Sequence, residues 1–147
     1  MFRVETDLDV FDARRRAERL ARDLGFSRPD ASIVTVVVSE LGYNVVRHGV
    51  RGSIVLSSHA SDEHGPGLCV EASDEGPAIP DIQLAIRDGH DRTGPIDPML
   101  LYRRAGIGSG LGAIVRLTHE FRYERTPVGN RFTVVRYRTR PFRRRQL

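Results

Sequence analysis

The sequence predicts an α+β fold: a two-layer sandwich in which a mostly antiparallel mixed sheet is covered on one face by helices. Two observations lead there. Two early segments repeat apolar residues at helical spacing, and four later segments are strand-like and come in pairs joined by short turn-rich stretches. Strands paired in hairpins build an antiparallel sheet, and amphipathic helices need such a surface to bury against.

Residues 2–6 (Phe-Arg-Val-Glu-Thr) alternate like a short strand. Asp7 or Asp9 can cap a helix to about Leu24, with Val10, Ala13, Ala17, Leu20, Ala21 and Leu24 on its apolar face and Gly25 as its stop. Arginines 14, 15, 16, 19 and 22 mostly cover the outer face. Ser27 caps a second helix, with Pro29 in its first turn, that runs to about Arg47 and ends at Gly49. Its run Ile33–Val38 is β-prone, but the apolar pattern continues too long for a strand, so a central, buried helix is expected. Ser53–Ala60 and Gly67–Ser73 read as a hairpin across residues 61–66. Asp81–Asp88 reads as a short helix, Ser109–His119 as a helix entered through glycines, and Glu120–Arg125 with Arg131–Arg138 as a closing hairpin turning at Gly129-Asn130. Residues 89–108, rich in Gly, Pro and Asp, have no periodicity, as in a functional lid or a disordered segment.

The chain has 147 residues, 39% hydrophobic and 29% charged, which suits one domain with its own core. We expect that domain to span residues 1–138, with 139–147 as an arginine-rich tail. All 23 basic residues are arginine, which excludes a phosphate loop ending in Gly-Lys-Ser/Thr. Six arginines and no acid fall in residues 136–147, so the first 135 residues carry 17 basic and 19 acidic groups, a net −2. Such a fold gives duplex nucleic acid little to hold, and nucleic acid is not an expected partner. No apolar stretch is long enough for a membrane span, the N-terminus has no signal-like apolar run, and the cytoplasm is the expected compartment. The lone Cys69 excludes an internal disulfide and a cysteine-built metal site.

Three patches can carry chemistry. In the second helix Glu40, Asn44 and His48 fall at i, i+4 and i+8 on one stripe. A buried carboxylate and amide are costly unless satisfied, so the stripe suits a cleft wall, where an amide oxygen can ligate Mg²⁺ and a carboxylate can take a hydroxyl proton. It also reads as a self-satisfied helix end facing solvent. Asp74-Glu75-Gly76-Pro77-Ala78-Ile79 follows a strand; its aspartate can accept from an exocyclic amine and Gly76 permits close approach to a flat ring, though the stretch also reads as a plain turn. Gly106-Ile107-Gly108-Ser109-Gly110-Leu111-Gly112 opens a helix and exposes N–H groups suited to phosphate; it also reads as a hinge.

The order and spacing of these patches resemble the GHKL ATP-binding family: an N-box helix, an Asp-x-Gly-Pro loop, a lid and a glycine-rich helix start. Within that family the chain is similar to the small bacterial serine kinases of anti-sigma and partner-switching systems, above all the RsbT-like switch kinases of the stressosome. The stretches that carry the likeness are Ser39-Glu40-Leu41 with Asn44, Gly76-Pro77 with Ile79 to Ile82, Asp88-Gly89, and Gly106–Leu111 through Phe121. The resemblance implies the GHKL, or Bergerat-type, fold and a protein serine/threonine kinase with ATP and Mg²⁺ as cofactors. It implies Glu40 as general base, Asn44 as the Mg²⁺ ligand, and Asp74, Gly76, Ala78 and Ile79 around adenine. It also implies phosphate contacts from Gly106, Ile107, Gly108, Ser109, Gly110, Leu111 and Gly112. The implied partners are a STAS-domain antagonist or scaffold protein, a partner serine/threonine phosphatase and a sigma factor. The alternatives are an anti-sigma factor that sequesters a sigma factor, or a nucleotide-binding pseudokinase. Two positions depart from the pattern: Ala78 replaces a second glycine, and Gly129-Asn130-Arg131 replaces a Gly-Thr.

Overall fold

A computed structural model describes residues 1–87 and 110–139, together with the backbone of His90–Asp91 and Gly94–Pro95. Strand β1 (Phe2–Arg3) leads to helices α1 (Asp7–Asp23) and α2 (Arg28–His48). Strands β2 (Ser53–Ser61) and β3 (Gly65–Asp74) follow, then α3 (Ile82–Ile86) and the short strands β4 (His90–Asp91) and β5 (Gly94–Pro95). Helix α4 (Leu111–Leu117) and strands β6 (Glu120–Arg125) and β7 (Asn130–Tyr137) complete it. The main sheet has the order β1-β2-β3-β7-β6, and each of its pairings is antiparallel. The expected sandwich is present. No helix among the described residues is long and apolar enough to cross a membrane.

Helix boundaries follow side-chain capping. Thr6, rather than Asp7 or Asp9, caps α1: its hydroxyl accepts from the Asp9 N–H at 3.2 Å while the Asp9 carboxylate accepts from the Thr6 N–H at 3.1 Å. That capping box ends the first strand at Arg3 instead of residue 6. Ser27 caps α2 as expected, and the β-prone valines do lie in a helix, with Val34, Val37, Val38, Leu41 and Val45 buried. α1 buries Val10, Ala13, Ala17 and Ala21 against it.

The sheet face toward the helices carries Ile54, Leu68, Val70, Ala72, Phe132 and Val134, all at most 2% exposed. The opposite face is polar, and Arg131 pairs there with Glu71 and Glu124, each at 3.4 Å. Cys69 is half-buried on β3, and burial pushes its thiol up. The first hairpin turns more tightly than residues 61–66 suggest, because Ser61 pairs with Gly65. α3 stops at Ile86, short of the expected Asp88, which lies outside the described residues. Residues of the expected lid, 89–108, are outside them too, apart from the β4 and β5 backbone.

The far end of the sheet is anchored twice. Buried Asp30, in the first turn of α2, accepts from Arg136 Nη2 and from the Thr139 N–H and hydroxyl, each at 3.0 Å. Burial alone raises the Asp30 carboxyl, but these donors outweigh it and hold it below the usual carboxylate range. Thr139, the first residue of the expected tail, is thus tied to the domain. His119 Nδ1 accepts from the Tyr137 N–H at 3.0 Å, and the His64 ring stacks on Tyr137 at 4.6 Å. Burial, with Arg136 and His64 nearby, holds the His119 pKa below its ordinary value.

In the unfolded chain His119 takes up a proton near pH 6.5, whereas the folded state resists it. Its contribution to stability is therefore complete above about pH 6.5 and is lost as pH falls. The urea midpoint should drop between pH 7.5 and 5.5, and His119→Asn, which keeps an acceptor but does not titrate, should flatten that slope. Equal slopes in both proteins would count against this assignment.

Candidate functional site

The last turns of α2 form one wall of the site. Asn44 is 9% exposed, and Glu40 and His48 are half-buried above and below it. A small pocket opens between this stripe and the start of α4, with Glu40, Asn44, Arg47 and His48 on one side and Gly110 and Leu111 on the other. The helix stripe and the end of the glycine run therefore meet in space. Gly110 caps α4 with a φ of 64° and no side-chain bond, a conformation that favours glycine. Leu111 and Gly112 lie in the first turn of α4 and are buried; Leu111 lines the pocket, whereas Gly112 packs behind it. Gly106, Ile107, Gly108 and Ser109 lie outside the described residues.

The Asn44 amide nitrogen is buried without a hydrogen-bond partner. The amide oxygen, one turn from the Glu40 carboxylate, suits the sparse oxygen set that Mg²⁺ takes from protein while keeping water and phosphate ligands, and the unpartnered N–H₂ suits an acceptor such as a phosphate oxygen. The residues present fit that ion.

Asp74 ends β3 and is 3% exposed. Its Oδ1 accepts from the Gly76 N–H and from Asn130 Nδ2, each at 2.9 Å. Asn130, fully buried, also donates to the Pro77 carbonyl at 3.0 Å, and its own oxygen accepts from the Tyr123 hydroxyl at 2.6 Å. Arg125 donates to the Gly76 carbonyl at 3.0 Å. The loop after β3 is thereby clamped by the β6–β7 hairpin. It is also pressed onto the end of α2: a Cβ on Gly76 would sit 2.8 Å from the His48 carbonyl oxygen and 3.0 Å from the Gly49 Cα. Gly76 is therefore demanded by the protein's own packing. Gly129 is demanded likewise, since a Cβ there would collide with the Asp74 carbonyl oxygen.

Ile79 is buried in the core, and its N–H donates to the Tyr123 hydroxyl at 3.4 Å. Ala78 is exposed. Sequence reasoning missed Arg47, although it lies three residues beyond Asn44 on the same helix face, where a fixed guanidinium suits phosphate. It also missed Tyr123 and Arg125, and read Asn130 as part of a departure from the family's Gly-Thr. Asn130 was expected in the turn after glycine; the ladder instead pairs it with Asp74.

Over residues 4–136 the sequence matches the family described as the histidine kinase-like ATPase domain. The chain belongs to that family. The serine/threonine-protein kinase RsbT of Bacillus subtilis (strain 168) is 34% identical over 119 residues, covering 81% of this chain and 80% of that protein. The expected class, an RsbT-like serine/threonine kinase, is the class of this relative. The crystal structure of the RsbU and RsbW domains of a Mycobacterium tuberculosis protein superposes with a TM-score of 0.62 at 18% identity; it covers 97% of this chain, which spans 33% of that one. The mycobacterial sensor histidine kinase MprB gives 0.51 at 18% identity, covering 92% of this chain and 97% of that one. Both share the fold of this histidine kinase-like ATPase domain.

Proposed function

We propose that the chain is a Mg²⁺- and ATP-dependent protein serine/threonine kinase of a bacterial partner-switching system, acting on a STAS-domain protein and so on sigma-factor activity. The observation that carries this reading is the meeting of Glu40 and Asn44 with Gly110 and Leu111 at one pocket, in a chain 34% identical to a serine/threonine kinase. The Asn44 oxygen would hold Mg²⁺, which when bound neutralises charge on the nucleotide phosphates. Arg47 would add a fixed positive charge at the rim. Asp74 would accept from the adenine amino group. Glu40 would take the proton of the substrate hydroxyl as its oxygen bonds the γ-phosphorus and ADP leaves, so the chain mainly positions and stabilises charge. The partner phosphatase and a cytoplasmic location belong to the same reading.

Calorimetry tests it. Wild type should bind ATP in a Mg²⁺-dependent manner, and Asn44→Ala should weaken that binding about tenfold or more, as expected for losing one contact to a charged group. No ATP binding by wild type at any Mg²⁺ level would overturn the reading.

A further inference from the structure

We infer that Asn130 is a positioning residue that sets the base selectivity of Asp74, a role that rests on the ATP reading above. Asn130 is fully buried, and its amide donates directly to the Asp74 carboxylate at 2.9 Å. Its orientation is fixed by what surrounds it. The nitrogen faces three acceptors, namely Asp74 Oδ1, the Pro77 carbonyl at 3.0 Å and the Gly76 carbonyl at 3.3 Å. The oxygen faces the Tyr123 hydroxyl. A flipped amide would set its oxygen against those three acceptors and its nitrogen against a hydroxyl that already receives the Ile79 N–H. Only one orientation satisfies every group.

Two donors, the Asn130 amide and the Gly76 N–H, converge on Asp74 Oδ1 and fix the plane of the carboxylate. A carboxylate accepts hydrogen bonds and cannot donate them. A carboxylate held in this way accepts from a purine with an amine at position 6. It repels a purine that presents a carbonyl there.

The test compares ATP with inosine triphosphate, which carries that carbonyl, by calorimetry in Mg²⁺. Wild type should prefer ATP at least about tenfold, the worth of a hydrogen bond to a charged group. Asn130→Ala should weaken ATP binding by a similar factor, leave inosine triphosphate nearly unchanged and so collapse the preference. Tyr123→Phe, which removes only the hydroxyl that orients Asn130, should lower the preference several-fold and serves if Asn130→Ala does not fold. If wild type prefers ATP and folded variants keep that preference, or lose both nucleotides equally, the role of Asn130 is overturned while the ATP reading stands. If wild type binds neither nucleotide, both fail.

Discussion

Glu40→Gln is expected to slow phosphoryl transfer by about 10²- to 10⁴-fold, the usual worth of a positioned general base. ATP affinity should stay within a few-fold of wild type. The glutamine keeps the shape of the side chain on α2 and the contacts of the wall, but it cannot accept a proton from a hydroxyl. Asn44, one turn away, is untouched, so on the proposed roles binding and chemistry should separate at these two positions. Single-turnover transfer to a STAS-domain protein, measured beside ATP calorimetry, reads both. A variant that transfers phosphate at the wild-type rate would remove Glu40 from the chemistry.

Phe132→Ala is expected to cost about 3–5 kcal/mol of stability and to lower the melting temperature on the order of 10 °C. Phe132 is fully buried on β7, between Ala72 on β3 and Tyr123 on the edge strand β6. Its ring packs 5.2 Å from that of Tyr123 and 6.3 Å from that of Phe121. The Tyr123 hydroxyl is held by Asn130 and the Ile79 N–H, which keeps that ring from swinging in to fill the space, so a cavity remains. Because Tyr123 also orients Asn130, ATP binding should weaken with stability. A loss below about 1 kcal/mol in urea titrations, the size of an ordinary substitution, would show that the site collapses more readily than this packing implies.

Local chemistry made much of this fold legible. Pro29 after Ser27, and an apolar pattern too long for a strand, marked α2 despite its six β-prone residues. Glu40 and Asn44 stood out because a polar stripe contradicts an otherwise apolar helix. What stayed hidden depends on distant parts of the chain. Thr6 became a cap only through Asp9, and Asn130 after glycine carries the composition of a turn. Its partners Asp74 and Pro77 lie more than 50 positions away in sequence, and only the β3–β7 register brings them together. The tightness around Gly76 and Gly129 is likewise a matter of three segments crossing, which no local pattern encodes.

Helix α2 is fixed at both ends: Asp30 is held by Arg136 and Thr139, and Gly49 meets Gly76 at the other end. Between Asp30 and Asn44 the helix advances roughly 21 Å at 1.5 Å per residue, and each residue turns it by about 100°. Deleting or inserting one residue before Glu40 would turn Glu40, Asn44 and Gly49 together by about 100° relative to the Asp30 anchor, so the pocket wall and both anchors could not all be kept. The β2–β3 turn at residues 62–63, before His64 stacks on Tyr137, carries no helical register. Length variation among natural descendants of this chain should therefore collect in that turn and spare the interval from 30 to 44, which behaves as a ruler of fixed length.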